Sequence, residues 1–319
     1  TSTRGSRKEF PAVAVIVIEN GSQGTPGLTI YDGDDPDLPM WMIFNETPGQ
    51  SIWHATDRSS VAALNGIIVV GQTTTIPLPI IGFVADEMYN RRTDTTKYNI
   101  SNIAGRHASG YSISGYFDQG LVNTVANDVA MTVLPNAPID SATGLPVPTI
   151  AVATGGGVSV IKDDGTVVDK ATTGAASYQV DWMSPSRLLM TAPLYYGIFD
   201  DPFTEGSSGY LNGIADSSYY HGDGDGSTFN YPRPIANLSS SSEVIATDSR
   251  TIVAATNSGL NIHELSTSSG TDNNDGIVAY ATTSYNTGYM HGDIKRAFLS
   301  DTDTTNVVGT ELISNGTFD

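Results

Sequence analysis

Residues 251–263, TIVAATNSGLNIH, place an apolar run before a small polar turn and an alternating run after it. Two short strands joined by a tight turn that contains glycine predict a β-hairpin. The same pattern recurs at residues 150–161, IAVATGGGVSVI, and more loosely at residues 67–73, IIVVGQT. The recurrence predicts an all-β domain built from repeated antiparallel units.

Units of this kind follow one another along the chain. Each is predicted to hold three or four antiparallel strands within roughly 45 to 65 residues, which is the repeat signature of a β-propeller or a related radial array. The five predicted units lie within residues 10–45, 60–88, 128–169, 178–199 and 243–282. We therefore predict an all-β fold, a β-propeller of about five blades, with six or seven blades as the alternative.

Individual segments make sharper predictions. Asn65-Gly66 lies between two apolar runs, and both residues accept positive φ, so this pair predicts a tight hairpin turn. Residues 13–18, VAVIVI, are apolar on both faces, which predicts a strand buried between two layers. Residues 80–88 are predicted as one strand, and residues 89–108 as a polar connector.

The two ends of the chain bear on closure of the ring. The first unit lacks the strand that precedes the hairpin in other units, and residues 292–301, GDIKRAFLSD, remain as a strand-like piece after the fifth. We predict that this C-terminal strand pairs beside residues 13–18 and closes the ring. The expected organisation is a linker at 1–9, a propeller at 10–303, and a linker with the start of a following module at 304–319.

Charge and composition restrict the partners. Fifteen Lys and Arg against 34 Asp and Glu give a net charge of −19, which repels nucleic acid and anionic membranes. The longest apolar run, residues 12–18, is too short to span a bilayer, so no membrane insertion is expected. The absence of cysteine excludes disulfides and thiol nucleophiles. No leader peptide begins the sequence at Thr1, and we expect a piece of a longer protein.

Three segments carry a resemblance to known proteins. Residues 285–302, YNTGYMHGDIKRAFLSDT, followed by residues 311–319, ELISNGTFD, resemble a junction in phage tail-fibre and tail-appendage proteins, particularly those of marine phages. In that family NTGWMxGDIKxAFLSD leads into ELxxNGxFD, which opens a jelly-roll or lectin-like module, and Tyr289 stands where the family has Trp. Residues 136–161 are similar to a passage that recurs in the same proteins.

This resemblance implies a structural protein of the virion, in which the propeller is one module of a longer tail-appendage chain. Other virion proteins are then the expected partners, and the phage particle is the expected location. We expect a rigid, non-enzymatic scaffold whose loops on one face bind a host-surface glycan or protein.

Three acidic loops suggest a hard cation such as calcium, which takes oxygen ligands. In the first loop, HGDGDGST, Asp223 and Asp225 alternate with glycine, although the full EF-hand pattern fails. The second loop holds Asp272 and Asp275, and the third spans residues 32–37. The alternative is that Asp, Asn and Gly occur in these turns for backbone reasons alone.

The long loop at residues 200–234 holds many aromatic residues among Gly, Ser and Asp. Flat rings stack on sugars and polar neighbours hydrogen-bond to them, so this composition is typical of an adaptable binding surface. The predicted ligand-binding residues are Tyr210, Tyr219, Tyr220 and Tyr231. The alternative is that the rings cap blades and pack the loop.

No motif in the sequence indicates catalysis. The five histidines show no HExxH or HxH spacing, and no G-x-S-x-G elbow is present. Glycoside hydrolysis needs two carboxylates across a cleft, and the acidic pairs in the sequence are Asp86-Glu87 and Asp200-Asp201. Neighbouring residues of a strand face opposite ways, so these pairs do not build such a site by themselves. We predict no enzyme. The alternatives are a polysaccharide-degrading glycoside hydrolase or lyase, and a calcium-dependent, lectin-like binder.

Overall fold

The computed structural model describes residues 5, 7–20, 26–45, 58–73, 78–107, 112–117, 119–141, 143–171, 176–192, 195–199, 243–246, 251–256, 259–264, 277–282 and 293–299. Across these ranges every regular element is a β-strand and no helix occurs. The strands form antiparallel sheets in which neighbours in sequence are neighbours in space. The prediction of an all-β chain of antiparallel units is confirmed at this level.

The first two sheets differ in size. Sheet 1 has three strands, β1 (Ala14–Ile18), β2 (Pro26–Asp32) and β3 (Met40–Asn45). Sheet 2 has six strands, β4 (Arg58–Leu64), β5 (Ile67–Gln72), β6 (Leu78–Gly82), β7 (Glu87–Arg91), β8 (Thr96–Ser101) and β9 (Ser112–Tyr116). Both are simple meanders in chain order.

The other sheets of the described ranges are also meanders. Sheet 3 consists of β10 (Ala126–Thr132), β11 (Thr149–Thr154), β12 (Gly157–Ile161) and β13 (Val167–Ala171). Sheet 4 consists of β14 (Gln179–Ser184), β15 (Arg187–Ala192) and β16 (Tyr195–Phe199). Sheet 5 consists of β17 (Glu243–Ala246), β18 (Thr251–Thr256), β19 (Gly259–Glu264), β20 (Ile277–Thr282) and β21 (Asp293–Leu299).

The predicted hairpins are confirmed. Asn65 and Gly66 have φ values of 50° and 77°, and the turn they make connects the Leu64–Ile67 pair of β4 and β5. A type I′ turn needs positive φ at both central positions, which Asn and Gly tolerate at low cost. In the hairpin at residues 251–263, β18 and β19 pair from Thr251 opposite Glu264 to Thr256 opposite Gly259.

The core is divided among the junctions between consecutive sheets. One apolar cluster joins sheets 1 and 2, a second joins sheets 2 and 3, and a third joins sheets 3 and 4. Strand β5 belongs to two of them, because Ile68 and Val70 face sheet 1 while Val69 faces sheet 3. Each fully buried Val, Leu or Ile contributes about 1.5–3 kcal/mol, so the two-sided inner strands hold most of the packing energy.

Polar side chains also connect the first strands of consecutive sheets. At three junctions in a row, a side-chain oxygen on one first strand accepts a backbone N–H from the next. These bonds are Val129 N to Ser60 Oγ at 3.4 Å, Val180 N to Asp128 Oδ2 at 3.0 Å, and Ala246 N to Asp181 Oδ2 at 2.8 Å. We call these three contacts the inter-sheet bonds.

At two junctions a second bond runs beside the first. The ladders of β4 and β10 shift register at Ser59 and Asn127, the residues just before Ser60 and Asp128. Ser59 donates to the Ala126 carbonyl at 2.8 Å, and Asn127 donates to the Ser177 carbonyl at 2.7 Å. A β-bulge re-aims one side chain, and here it turns a polar side chain toward the neighbouring sheet.

Three buried arginines reinforce the contacts between sheets by donating to backbone carbonyls. The bonds are Arg58 Nη1 to Glu19 O at 2.5 Å, Arg91 Nη2 to Gly165 O at 2.6 Å, and Arg106 Nε to Ile43 O at 2.8 Å. These side chains are 3–7% exposed. A carbonyl partner satisfies a guanidinium donor without placing a carboxylate in the core.

The predicted burial of residues 13–18 on both faces is wrong. Val13, Val15 and Val17 are 57%, 39% and 37% exposed, whereas Ile16 and Ile18 pack against the first core cluster. Strand β1 is an edge strand that pairs only with β2 in the described ranges. The apolar run is therefore an edge strand with one face buried. Burial of its other face would need a second layer of structure, and the sequence of the run does not show whether one is present.

The predicted single strand at 80–88 and polar connector at 89–108 are wrong as well. Phe83 to Asp86 form a turn, with Asp86 at φ 50°, and the chain continues as β7 and β8. Strand β7 is held by burial of Met88 in the first core cluster, and its pairing with β8 is supported by a side-chain pair, Lys97 Nζ to Glu87 Oε2 at 2.9 Å. The alternation of apolar residues that predicts strands elsewhere in the chain therefore does not identify β7 and β8.

The predicted pairing of residues 292–301 beside residues 13–18 is also wrong. Strand β21 pairs antiparallel with β20, with Leu299 opposite Ile277 and Asp293 opposite Thr282. It is the fifth strand of sheet 5 and does not extend sheet 1. Strand β20 is the nearest strand in sequence, and consecutive strands usually pair. The prediction counted the strands missing from the first unit and did not consider this shorter connection.

Replacing Asp128 by alanine is expected to lower the free energy of unfolding by about 1–3 kcal/mol, because the N–H groups of buried Val129 and Val180 each lose an acceptor. Asp128→Asn keeps one acceptor oxygen and should cost less. Urea denaturation measures both. The control is Asp163→Ala in the β12–β13 turn, expected to change stability by less than about 0.5 kcal/mol. An Asp128→Ala loss no larger than that of the control would contradict the inter-sheet role.

Candidate functional site

The eight residues predicted to bind a ligand or calcium all lie outside the described residues. They are Tyr210, Tyr219, Tyr220, Tyr231, Asp223, Asp225, Asp272 and Asp275. Their roles stay predictions. The third calcium candidate, residues 32–37, lies within the described structure.

The carboxylates of this third loop bind an arginine and backbone amides. Arg7 Nη1 lies 3.0 Å from both carboxylate oxygens of Asp32 and 2.9 Å from Asp34 Oδ2. Asp34 also accepts the backbone N–H groups of Ala12 and Val13, each at 2.9 Å. A calcium ion would have to displace the Arg7 guanidinium. The geometry therefore favours the interpretation of this loop as a backbone turn.

Within the ranges that the structure describes, no group of three or more His, Asp or Glu side chains is arranged to hold a metal ion. The acidic pair Asp86-Glu87 is also divided between partners. Asp86 Oδ1 accepts the Ile103 N–H at 2.9 Å, while Glu87 pairs with Lys97. These two carboxylates do not face each other across a cleft.

A strap, defined as residues 7–13, is fastened to sheet 1 by bonds near both of its ends. At the start, Arg7 bonds to the 32–34 turn, and the N–H of neighbouring Gly5 donates to the Trp41 carbonyl at 2.8 Å. At the other end, Gly33 N donates to the Val13 carbonyl at 2.8 Å. These bonds hold the middle of the strap against the sheet.

The strap bonds shift the ionisation of their members. Hydrogen bonding from the Ala12 amide is the main cause that lowers the pKa of Asp34, and the nearby Arg7 charge acts in the same direction. Hydrogen bonding to Asp32 raises the pKa of Arg7. Both shifts favour the charged pair, so the fastening is complete at neutral pH.

The strap places Phe10 in an aromatic cluster. The Phe10 ring lies 5.0 Å from Trp41 and 5.0 Å from Phe83, edge-on to both, and Trp41 lies 5.6 Å from Phe83. Phe44 closes the cluster from below at 6.2 Å from Phe83. Trp41 is 4% exposed, but Phe10 is 37% exposed. The cluster therefore presents one fixed aromatic ring to solvent.

A cleft of about 340 Å³ opens beside this ring, and we call it the aromatic cleft. The strap, sheet 1, the β6–β7 turn and the segment after β8 all contribute to its wall. The side chains that matter for its chemistry are Lys8, Phe10, Trp41, Phe83, Asp86 and Arg106. It combines an aromatic wall with groups of both charges.

A second cleft of about 400 Å³ also has Trp41 in its wall. Its polar lining includes Arg7, Glu9, Asp32 and Asp35. Arg7 and Asp32 are paired with each other, so these two groups serve the fastening of the strap.

The last three strands of sheet 2 and the residue that follows them hold a separate group of cation–aromatic contacts. Lys97 Nζ lies 4.4 Å from the Tyr89 ring centroid, and the Arg91 guanidinium lies 3.8 Å from that of Phe117. Burial raises the pKa of Tyr89 to about 12, so its hydroxyl stays protonated at physiological pH. These contacts are internal to the sheet and stabilise its polar edge.

Sequence reasoning missed the aromatic cleft. Its residues come from four separate places in the chain, and none lies in a recognisable motif. One local signal was available: Phe83 and Asp86 bracket a four-residue turn whose Asp accepts positive φ. That signal indicates a turn, but it does not show that the turn meets Phe10.

Comparisons with known proteins give no family. No family model matches the chain, and no curated protein matches it. Among solved structures, the computationally designed Ika8 protein is 12% identical, with a TM-score of 0.36 over 92% of this chain and 86% of that one. Hsv2 of Kluyvelomyces marxianus is 9% identical, with a TM-score of 0.27 over 79% of this chain and 92% of that one. Likenesses this low support no argument about fold or function.

The strap is expected to loosen in acid only below pH 3.8, the usual pKa of an aspartate. Because the folded pKa of Asp34 lies lower, its contribution to strap stability is present above pH 3.8 and is lost as the pH falls through the folded pKa. The chemical shifts of the Ala12 and Val13 amides report this titration by NMR. Asp34→Asn should abolish it. A midpoint at or above pH 3.8 in the unmodified chain would contradict the assignment.

Proposed function

We propose that the five sheets stand around a common axis as the blades of a β-propeller. The support is the order of contacts, since β4 touches β10, β10 touches β14 and β14 touches β17. Side-by-side contact of the first strands is what a radial array requires. The inter-sheet bonds repeat at these same junctions, so the same geometric step recurs from sheet to sheet.

The function that we propose for this module is structural, as a rigid scaffold or spacer in a phage tail appendage. The observation that carries the proposal is the resemblance of residues 285–302 and 311–319 to the junction of tail-appendage proteins. The mechanics agree with such a role. An apolar cluster lies at each of the three junctions from sheet 1 to sheet 4, and each junction also has inter-sheet bonds, buried arginines or both.

The partners in this proposal are other virion proteins and a host-surface glycan or protein. Nucleic acid is not among them, because a chain with a net charge of −19 repels a polyanion. The described residues include no helix that is long and apolar enough to cross a membrane.

The arrangement around an axis is tested by small-angle X-ray scattering. A compact chain of this length should have a radius of gyration of about 20 Å. An open row of five sheets should be clearly more extended. A value well above that of the compact chain, with a rod-like distance distribution, would contradict the propeller.

The virion role is tested on particles of the phage that encodes the chain. Mass spectrometry of purified particles should find the chain, and gold-labelled antibody should decorate the tail region. Absence from the particles would overturn the proposal. A reducing-sugar assay on host surface polysaccharide, run with the isolated chain, separates the scaffold from the enzyme alternative: release of sugar ends would favour a hydrolase, and new unsaturated ends would favour a lyase.

A further inference from the structure

We propose that the aromatic cleft binds one or two pyranose rings of a surface carbohydrate. This inference deepens the proposed function and rests on it only for the source of the glycan. Its site differs from the tyrosine-rich loop predicted from the sequence. The argument uses the aromatic wall, the fixed carboxylate and the size of the cleft.

The aromatic wall offers a flat surface at a fixed angle. Trp41 and Phe83 each pack against the Phe10 ring with centroids 5.0 Å apart and interplanar angles of 64° and 66°. More than a third of Phe10 nevertheless stays exposed. An apolar ring that is already immobilised loses little entropy when the C–H face of a sugar stacks on it.

Asp86 supplies a fixed hydrogen-bond acceptor beside that ring. Its Oδ1 accepts the Ile103 N–H at 2.9 Å, and its exposed turn position has φ 50°. An ionised carboxylate has about four lone-pair sites on two oxygens, so most of them remain for hydroxyl donors. Paired sugar hydroxyls suit a carboxylate that a backbone hydrogen bond already orients.

Arg106 braces the segment that donates to this acceptor. Its Nη1 donates to the Ile103 carbonyl at 3.0 Å and its Nε donates to the Ile43 carbonyl at 2.8 Å. Ile103 is therefore held by Arg106 on one side and holds Asp86 on the other. Sheet 1, the segment after β8 and the β6–β7 turn are fixed as one rigid wall.

The volume and charge of the cleft select the class of ligand. About 340 Å³ is near the lower end of the range for small-molecule clefts, roughly 300–1,000 Å³, which suits a short saccharide. Three charged side chains in the wall disfavour a purely apolar ligand. The wall holds two cations, Lys8 and Arg106, and one carboxylate, Asp86, so it offers both donors and an acceptor to hydroxyl groups. A hydroxyl-rich ring with one apolar face fits both sides of the cleft.

The test measures binding of the whole chain to an array of bacterial surface glycans, followed by calorimetry with the strongest oligosaccharide. Asp86→Asn keeps the Oδ1 acceptor and tolerates the positive φ, but it removes the charge. It should weaken binding about tenfold or more, as expected for a hydrogen bond to a charged group. Phe10→Ala should reduce binding further, and the oligosaccharide should change the tryptophan fluorescence of the chain, to which Trp41 contributes.

The matched control is Asp94→Asn, because Asp94 is also exposed and also accepts a backbone N–H, from Thr96 at 2.9 Å. It should bind like the unmodified chain. Absence of binding to every glycan on the array overturns the proposal, and so does binding that Asp86→Asn leaves unchanged. If Phe10→Ala fails to fold by thermal melting, Asp86→Asn decides alone. Neither outcome bears on the particle experiments, so the two proposals fail separately.

Discussion

The structure depends on how neighbouring sheets satisfy the backbone donors of their first strands. Val129 and Val180 are buried, and an unbonded N–H at such a position costs about 1–3 kcal/mol. For Val180 the acceptor is Asp128 Oδ2 of the preceding sheet, at 3.0 Å. The Val129 N–H donates to Asp128 Oδ1 of its own strand at 2.9 Å and has Ser60 Oγ of the preceding sheet as a longer second acceptor at 3.4 Å. Because Asp128 is a side chain on a first strand, its bond to Val180 also restrains the distance between sheets 3 and 4. Apolar packing alone would allow the sheets to slide, whereas a directed bond sets one register.

The parts of the fold that could be predicted from sequence are the parts determined by local chemistry. Asn65-Gly66 specifies its turn because few other residues accept the required φ, and the hairpin at residues 251–263 follows from the same rule. Burial and long-range pairing could not be predicted in this way. Val15 is exposed because β1 is an edge strand, and β8 exists because Lys97 and Tyr98 pair with neighbours across the sheet. Both depend on partners that are distant in sequence.

The candidate site shows the same division. Acidic loops are conspicuous in the sequence, but at residues 32–37 the carboxylates bond to Arg7 and to backbone amides, and none of these bonds requires a metal. The aromatic cleft has no counterpart in the sequence pattern, since Phe10, Trp41 and Phe83 come within 6 Å only through the strap and two sheets. The sequence shows where the acidic residues are. Which groups their carboxylates bond to can be read only from the folded structure.

The strap connects the acidic loop at residues 32–37 with the aromatic cleft. The strap residues that bond to the loop carboxylates also hold Phe10 in the wall of the cleft. Arg7 and the Ala12 and Val13 amides fasten the strap to Asp32 and Asp34, and Phe10 lies between those points. Anything that releases the strap removes the exposed ring from the cleft. By linkage, a ligand that stacks on Phe10 must stabilise the fastened strap by the same free energy. In the proposed carbohydrate site, the Asp-rich turn would thus influence binding without contacting the ligand.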